Sequence, residues 1–118
     1  MAWEHCARYS FLGRSWTLWV DHWAPGGETW WFMLPDREGV SVEPSGIGHK
    51  SRREATRGYA EDIGSEIRRI RLNLGLSQED FAQKLKVRAI TVSRWERGEQ
   101  LPSQAALSRI EQLVEKRR

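Results

Sequence analysis

A single cysteine, Cys6, among 118 residues excludes an internal disulfide and fits a reducing compartment. Nowhere does an apolar run approach the roughly 18–20 residues that a bilayer span requires. The N-terminus, interrupted by Glu4, His5 and Arg8, lacks the apolar centre of a secretion signal, so a cytoplasmic protein is expected. Strong charge of one sign is also missing. A net charge of +3 admits a polyanionic partner without requiring one. Glycine-rich phosphate loops are lacking, because Gly26-Gly27 and Gly46-Ile47-Gly48 sit in turns without a strand-to-helix context. His5, Cys6, His22 and His49 have no metal-ligand spacing, and Asp21 and Glu28 are better explained as surface charge than as an acid–base pair. No catalytic set, metal site or cofactor is implied, and the chain does not look like an enzyme. With 39% hydrophobic and 30% charged residues it has the make-up of a soluble, folded protein.

What is abundant is tryptophan, and it is unevenly placed. Trp3, Trp16, Trp19, Trp23, Trp30 and Trp31 lie in the first 31 residues, whereas only Trp95 follows. Residues 1–60 carry 7 basic and 7 acidic side chains and residues 61–118 carry 12 and 9, so the whole positive surplus sits in the second half. A division at about residue 60 follows, and the fold class expected is α+β: a three-stranded antiparallel sheet with a helix, then a four-helix bundle.

From Ser15 to Trp23 the chain alternates as a strand does, with Trp16, Leu18 and Val20 on one side and Trp19, Asp21 and Trp23 on the other. Ala24-Pro25-Gly26-Gly27 is a turn signal and Glu28–Leu34 is again aromatic and apolar, which predicts a hairpin. A second turn at Pro35–Gly39 leads to a short third strand, Val40–Val42. Aromatics at such positions mostly form a core, yet this many exceed what one small face can bury. Trp19, Trp23, Trp30 and Trp31 are therefore candidates for a partner surface.

From Ser51 the period changes. Ala55, Tyr59, Ile63, Ile67, Ile70 and Leu74 mark one helical face, with Ser51 as N-cap and a break or bend expected near Gly58 or Gly64. Gly75 stops that helix and Ser77 caps a second with Phe81, Ala82 and Leu85 inward. A tight turn at Lys86-Val87 precedes a third helix closed by Gly98, and Pro102-Ser103 opens a fourth with Ala106, Leu107, Ile110 and Leu113 inward. Two short helices joined by a tight turn within such a cluster describe a helix-turn-helix.

The residues Leu76–Leu85, Val92–Glu99 and Leu101-Pro102-Ser103 give the segment 63–113 a resemblance to the Xre/Cro family of DNA-binding domains. The resemblance implies a helix lying in the major groove of duplex DNA, with Arg88, Ala89, Ile90, Ser93 and Arg94 facing bases or adjacent backbone. Arg94 is the best base reader, through a bidentate pair with guanine, while Ala89 and Ile90 can only meet a thymine methyl. Gln78, Lys84 and Arg97 fall at positions implied to bind phosphate, and Arg71 and Glu96 at those of an internal ion pair. Two departures stand out: Lys86 where the family has glycine in the turn, and Arg88 where it has a Ser or Thr cap. Because the chain ends at Arg118, the fifth helix through which many members dimerise has no room, so a homodimer is expected to form through residues 1–60.

That N-terminal half is similar, through Leu34–Gly39 and Gly48–Ala55, to HicB-type antitoxins, which implies a toxin as protein partner. It is also similar to the arm-binding domain of tyrosine integrases, where Lys50, Arg52, Arg53 and Arg57 would touch phosphate. The function expected is a sequence-specific transcription regulator, a repressor or the antitoxin of a toxin–antitoxin pair. The alternative is an interaction module, a toxin neutraliser or phage-type inhibitor, with the bundle as scaffold.

Overall fold

The computed structural model describes residues 3–22, 29–38, 40, 41, 44 and 48–116. The chain divides into two compact units, 1–56 and 57–118.

The first unit holds a three-stranded antiparallel sheet of β1 (Glu4–Phe11), β2 (Arg14–Asp21) and β3 (Trp30–Pro35), in that order across the sheet. The hairpin of β2 with β3 is as the alternation predicts, with Trp16 opposite Pro35 and Asp21 opposite Trp30; its turn lies outside the described residues. The remaining strand is a correction. It is Glu4–Phe11, not Val40–Val42: Val40 only exchanges hydrogen bonds with Arg37 across a turn at Glu38, and Val42 lies outside the described residues. The alternation of Ala7, Tyr9 and Phe11 was present in the sequence; a bulge between His5 and Ala7 puts the start of the strand out of step with it. Leu12 and Gly13, both at positive φ, make the two-residue turn from β1 to β2, as the twist of a tight hairpin favours.

As the middle strand, β2 is buried on both faces from Trp16 to Asp21. One face joins Tyr9, Trp16, Leu18, Val20 and Met33, with the Tyr9 and Trp16 rings stacked at 6.0 Å. Arg52 donates from Nη2 to the Tyr9 hydroxyl. On the other face Thr17, fully buried, donates to Asp36 Oδ1 at 2.8 Å; its one proton being used there, Ser41 donates to Thr17 at 2.9 Å. Arg8 Nε completes the cluster on Asp36 Oδ2 at 3.1 Å. Burial raises the Asp36 carboxyl pKa, but hydrogen bonds from Thr17, Ser15 and Arg8, with the Arg8 charge, outweigh it and hold the group below its ordinary value. The outer edge of β3 is closed at Trp31, whose N–H and C=O each bond His49 at 2.7 Å.

The helix α1 (Arg52–Asn73) is continuous for 22 residues, and Ser51 Oγ accepts the Glu54 N–H as its cap. The break expected near Gly58 or Gly64 does not occur. Gly64 serves packing instead: a Cβ there would lie 2.1 Å from the Trp95 carbonyl oxygen. Around α1 the second unit places α2 (Gln78–Leu85), α3 (Ala89–Glu96) and α4 (Gln104–Lys116). Its core is Ile63, Ile67, Phe81, Leu85, Val92, Trp95, Leu107 and Ile110. Ser103 Oγ caps α4 through the Ala106 N–H, and Arg109 Nη1 ties α4 to the Leu85 carbonyl at the end of α2.

Candidate nucleic-acid interface

Three helices of the second unit end alike. Leu76 bonds back to Arg71 and Gly75 to Leu72; Val87 to Ala82 and Lys86 to Gln83; Glu99 to Arg94 and Gly98 to Trp95. Each is a Schellman motif, which needs one residue in the left-handed region. Gly75 (φ 71) and Gly98 (φ 73) supply it without strain, but at the turn between α2 and α3 it is Lys86, at φ 59 and ψ 41. A side chain there costs on the order of 1 kcal/mol. The turn keeps its geometry because both capping hydrogen bonds are made and Leu85 is fully buried.

The turn sets the start of α3. Arg88 is extended, at φ −84 and ψ 151, with no side-chain hydrogen bond to the helix, and α3 has no acidic residue in its first turn. Ser77 of α2, by contrast, accepts the Asp80 N–H at 3.1 Å. At 100° per residue Ala89, Ile90, Ser93, Arg94 and Arg97 fall along one side of α3, opposite the buried Val92 and Trp95. Arg88, Ile90, Arg94 and Arg97 are exposed, and Ala89 and Ser93 are half-buried. Arg97 pairs with Glu99 at 3.2 Å; among the described residues no ion pair engages Arg88 or Arg94.

Behind α3 the side chain of Glu96 turns inward. Arg71 meets it with two parallel bonds, Nε to Oε2 at 2.7 Å and Nη2 to Oε1 at 3.0 Å, and donates from Nη1 to the Leu76 carbonyl. Only 11% of the Arg71 side chain and 5% of that of Glu96 reach solvent. The hydrogen bonds to Glu96 hold the Arg71 guanidinium above its already high pKa, so Arg71 stays charged at any ordinary pH. Gln78 Nε2 donates to the same Oε1 at 3.3 Å, which ties the first residue of α2 to the ion pair that joins α1 and α3. This second partner of Glu96 was not foreseen, because spacing along the chain does not show which side chains meet across helices. Lys84 is exposed on α2.

Of the four tryptophans expected to form a partner surface, the three described ones do not share one exposed face. Trp19 is only 3% exposed, because the middle strand is covered on both sides. Trp30 and Trp31 are half-buried and, as neighbours in a strand, lie on opposite faces: Trp30 opposite Asp21, Trp31 opposite Val20. Trp23 lies outside the described residues.

Among the described residues no group of His, Cys, Asp and Glu could hold a metal ion, and no helix is long and apolar enough to cross a membrane. Residues 67–116 match the Helix-turn-helix family, and this segment is a helix-turn-helix domain of the Xre/Cro type. No curated protein matches the chain. The match supports a DNA-binding helix-turn-helix of the kind that regulates transcription.

Proposed function

We propose that the protein is a transcriptional repressor that reads duplex DNA by sequence, with α3 in the major groove and residues 61–118 as the DNA-binding domain. Support comes foremost from the exposed side of α3, where Arg94 stands outward, with Arg88 exposed at the N-cap, from a helix whose other side is anchored by Val92, Trp95 and the Arg71–Glu96 pair. Arg94 reads guanine through its O6 and N7, Ser93 and Ala89 face neighbouring bases, and Gln78, Lys84 and Arg97 bind phosphate. Residues 1–60 form the partner domain, through which two copies pair so that two α3 helices meet an inverted repeat. An antitoxin that represses its own operon and holds its toxin through this half is the same reading with a protein partner added. Its surface is not the set of four tryptophans, since Trp19 is core.

The test is titration of duplexes selected from a random pool, followed by anisotropy at fixed salt. Arg94→Ala is expected to lose about 1–3 kcal/mol on the selected sequence and to relax preference at one base pair, while Lys84→Ala weakens all sequences alike. Equal losses for Arg94→Ala on selected and scrambled duplexes would remove it from the base-reading role.

A further inference from the structure

We propose that the groove where α1 and α4 end binds a small molecule with an aliphatic chain and one carboxylate, and that this ligand weakens DNA binding by taking Lys84 from phosphate. The site stands on the helical unit alone. The competition rests on the DNA-binding reading above, which gives Lys84 its phosphate.

The apolar stripes of both helices run past the core. On α1 Ile63 and Ile67 are buried, but Leu74, just past the helix end, is half-buried; on α4 Ile110 is buried and Leu113 half-buried. Leu74, Leu76 and Leu113 form, with Lys84 and Lys116, the walls of a groove of about 350 Å³. Polar backbone on the α1 side is already used. The Gly75 and Leu76 N–H groups bond to the Leu72 and Arg71 carbonyls, and the Leu76 carbonyl accepts from Arg71 Nη1. The two ammonium groups are the polar handles left. Among the described residues no ion pair or side-chain hydrogen bond engages Lys84 or Lys116, and no acidic side chain lines the groove. Three aliphatic side chains beside two unpaired cations select an apolar chain that ends in an anion. The phosphate backbone of DNA has no aliphatic part to meet the leucines. Size argues against a protein partner, since a stable interface covers about 800 Å² on each side. The groove instead stands at the small end of the roughly 300–1,000 Å³ of small-molecule sites.

The probe is octanoate, added to the full chain and followed by calorimetry and by the methyl resonances of Leu74, Leu76 and Leu113. Binding is expected to shift those methyls first, and each methylene removed from the chain to weaken it about two- to fourfold. Lys84→Gln and Lys116→Gln change exposed side chains, so the fold is not at stake. Each is expected to weaken octanoate about two- to fivefold and to leave binding of octanol unchanged. Anisotropy on a selected duplex then tests the competition. Saturating octanoate is expected to lower duplex affinity by as much as Lys84→Gln does, and not to lower that of the Lys84→Gln protein further. No binding of octanoate at millimolar concentration, shifts confined to methyls elsewhere, or octanol bound as tightly as octanoate, overturns the site. Octanoate held in the groove with duplex affinity unchanged overturns the competition and leaves DNA binding intact. Failure to select any duplex overturns the DNA-binding reading and the competition with it, while calorimetry still decides the site.

Discussion

Residues 1–56 build their core from a few wide rings, Tyr9, Phe11, Trp16 and Trp19, laid across β1 and β2, whereas residues 57–118 pack Ile63, Ile67, Leu85, Leu107 and Ile110 around Phe81 and Trp95. The sheet unit covers both faces of its middle strand, and on one of them it encloses a carboxylate with its own set of donors. The helical unit keeps its buried charges in one bidentate pair and places its tight tolerances in the backbone: three Schellman ends and one glycine against a carbonyl. A sheet built in this way is sensitive to protonation and loss of polar partners. A bundle built in this way is sensitive to added atoms.

The largest effect that would break this contrast is expected at Gly64. Gly64→Ala drives a methyl to 2.1 Å from the Trp95 oxygen, so α1 and α3 must separate, at a cost of about 3 kcal/mol in denaturant unfolding. Gly58→Ala is the matched control, since a Cβ at Gly58 meets nothing within 4 Å. There the same change is expected to stabilise by up to about 1 kcal/mol, through helix propensity. Similar losses at both positions would show that backbone preference, not contact, governs the helix.

Next in size is the buried carboxylate. Asp36→Ala removes the acceptor of the Thr17 hydroxyl and of one Arg8 bond and is expected to cost about 2 kcal/mol. Because the folded-state pKa of Asp36 is depressed, its contribution is complete above the unfolded carboxyl value near 3.9 and is lost as pH falls through the lower folded value. Acid titration of stability should therefore show a loss below about pH 4 that Asp36→Ala lacks. Identical acid profiles for the two proteins would take Asp36 out of the account.

The smallest effect sharpens the contrast within the helical unit itself. Lys86→Gly is expected to raise stability by about 0.5–1 kcal/mol, since glycine enters the left-handed region without the cost that a side chain carries. No gain would mean that the lysine side chain makes up the difference elsewhere.

Much of the helical unit was legible in the sequence because its signals are local. Gly75, Ser77, Gly98 and Ser103 mark their helix ends by backbone and hydroxyl chemistry that needs no distant partner, and the spacing of Phe81, Leu85, Val92 and Trp95 follows the helical period. The left-handed turn at Lys86 and the bare cap at Arg88 were likewise readable as departures from a pattern. Gly64 was not, because a helix breaker and a point of close approach look alike until the opposing chain is known. In the sheet the reading went astray for non-local reasons. The bulge leaves only Ala7, Tyr9 and Phe11 to carry the period of β1, and nothing in a run of tryptophans states that the strand carrying Trp19 is flanked on both sides. The Arg71–Glu96 pair was implied by resemblance, but the bond from Gln78 to Glu96 emerged only from three-dimensional packing.

The bulge in β1 has a practical consequence for handling. With β3 closed at its rim by His49, β1 is the border along which a stranger's extended chain could attach, among the described residues. The extra residue at Cys6 throws the ladder out of step near the start of that border, so an incoming chain that runs its length finds its rungs fail to meet there. Deleting that residue would straighten the rim and should turn a well-behaved solution into one that clouds on concentration.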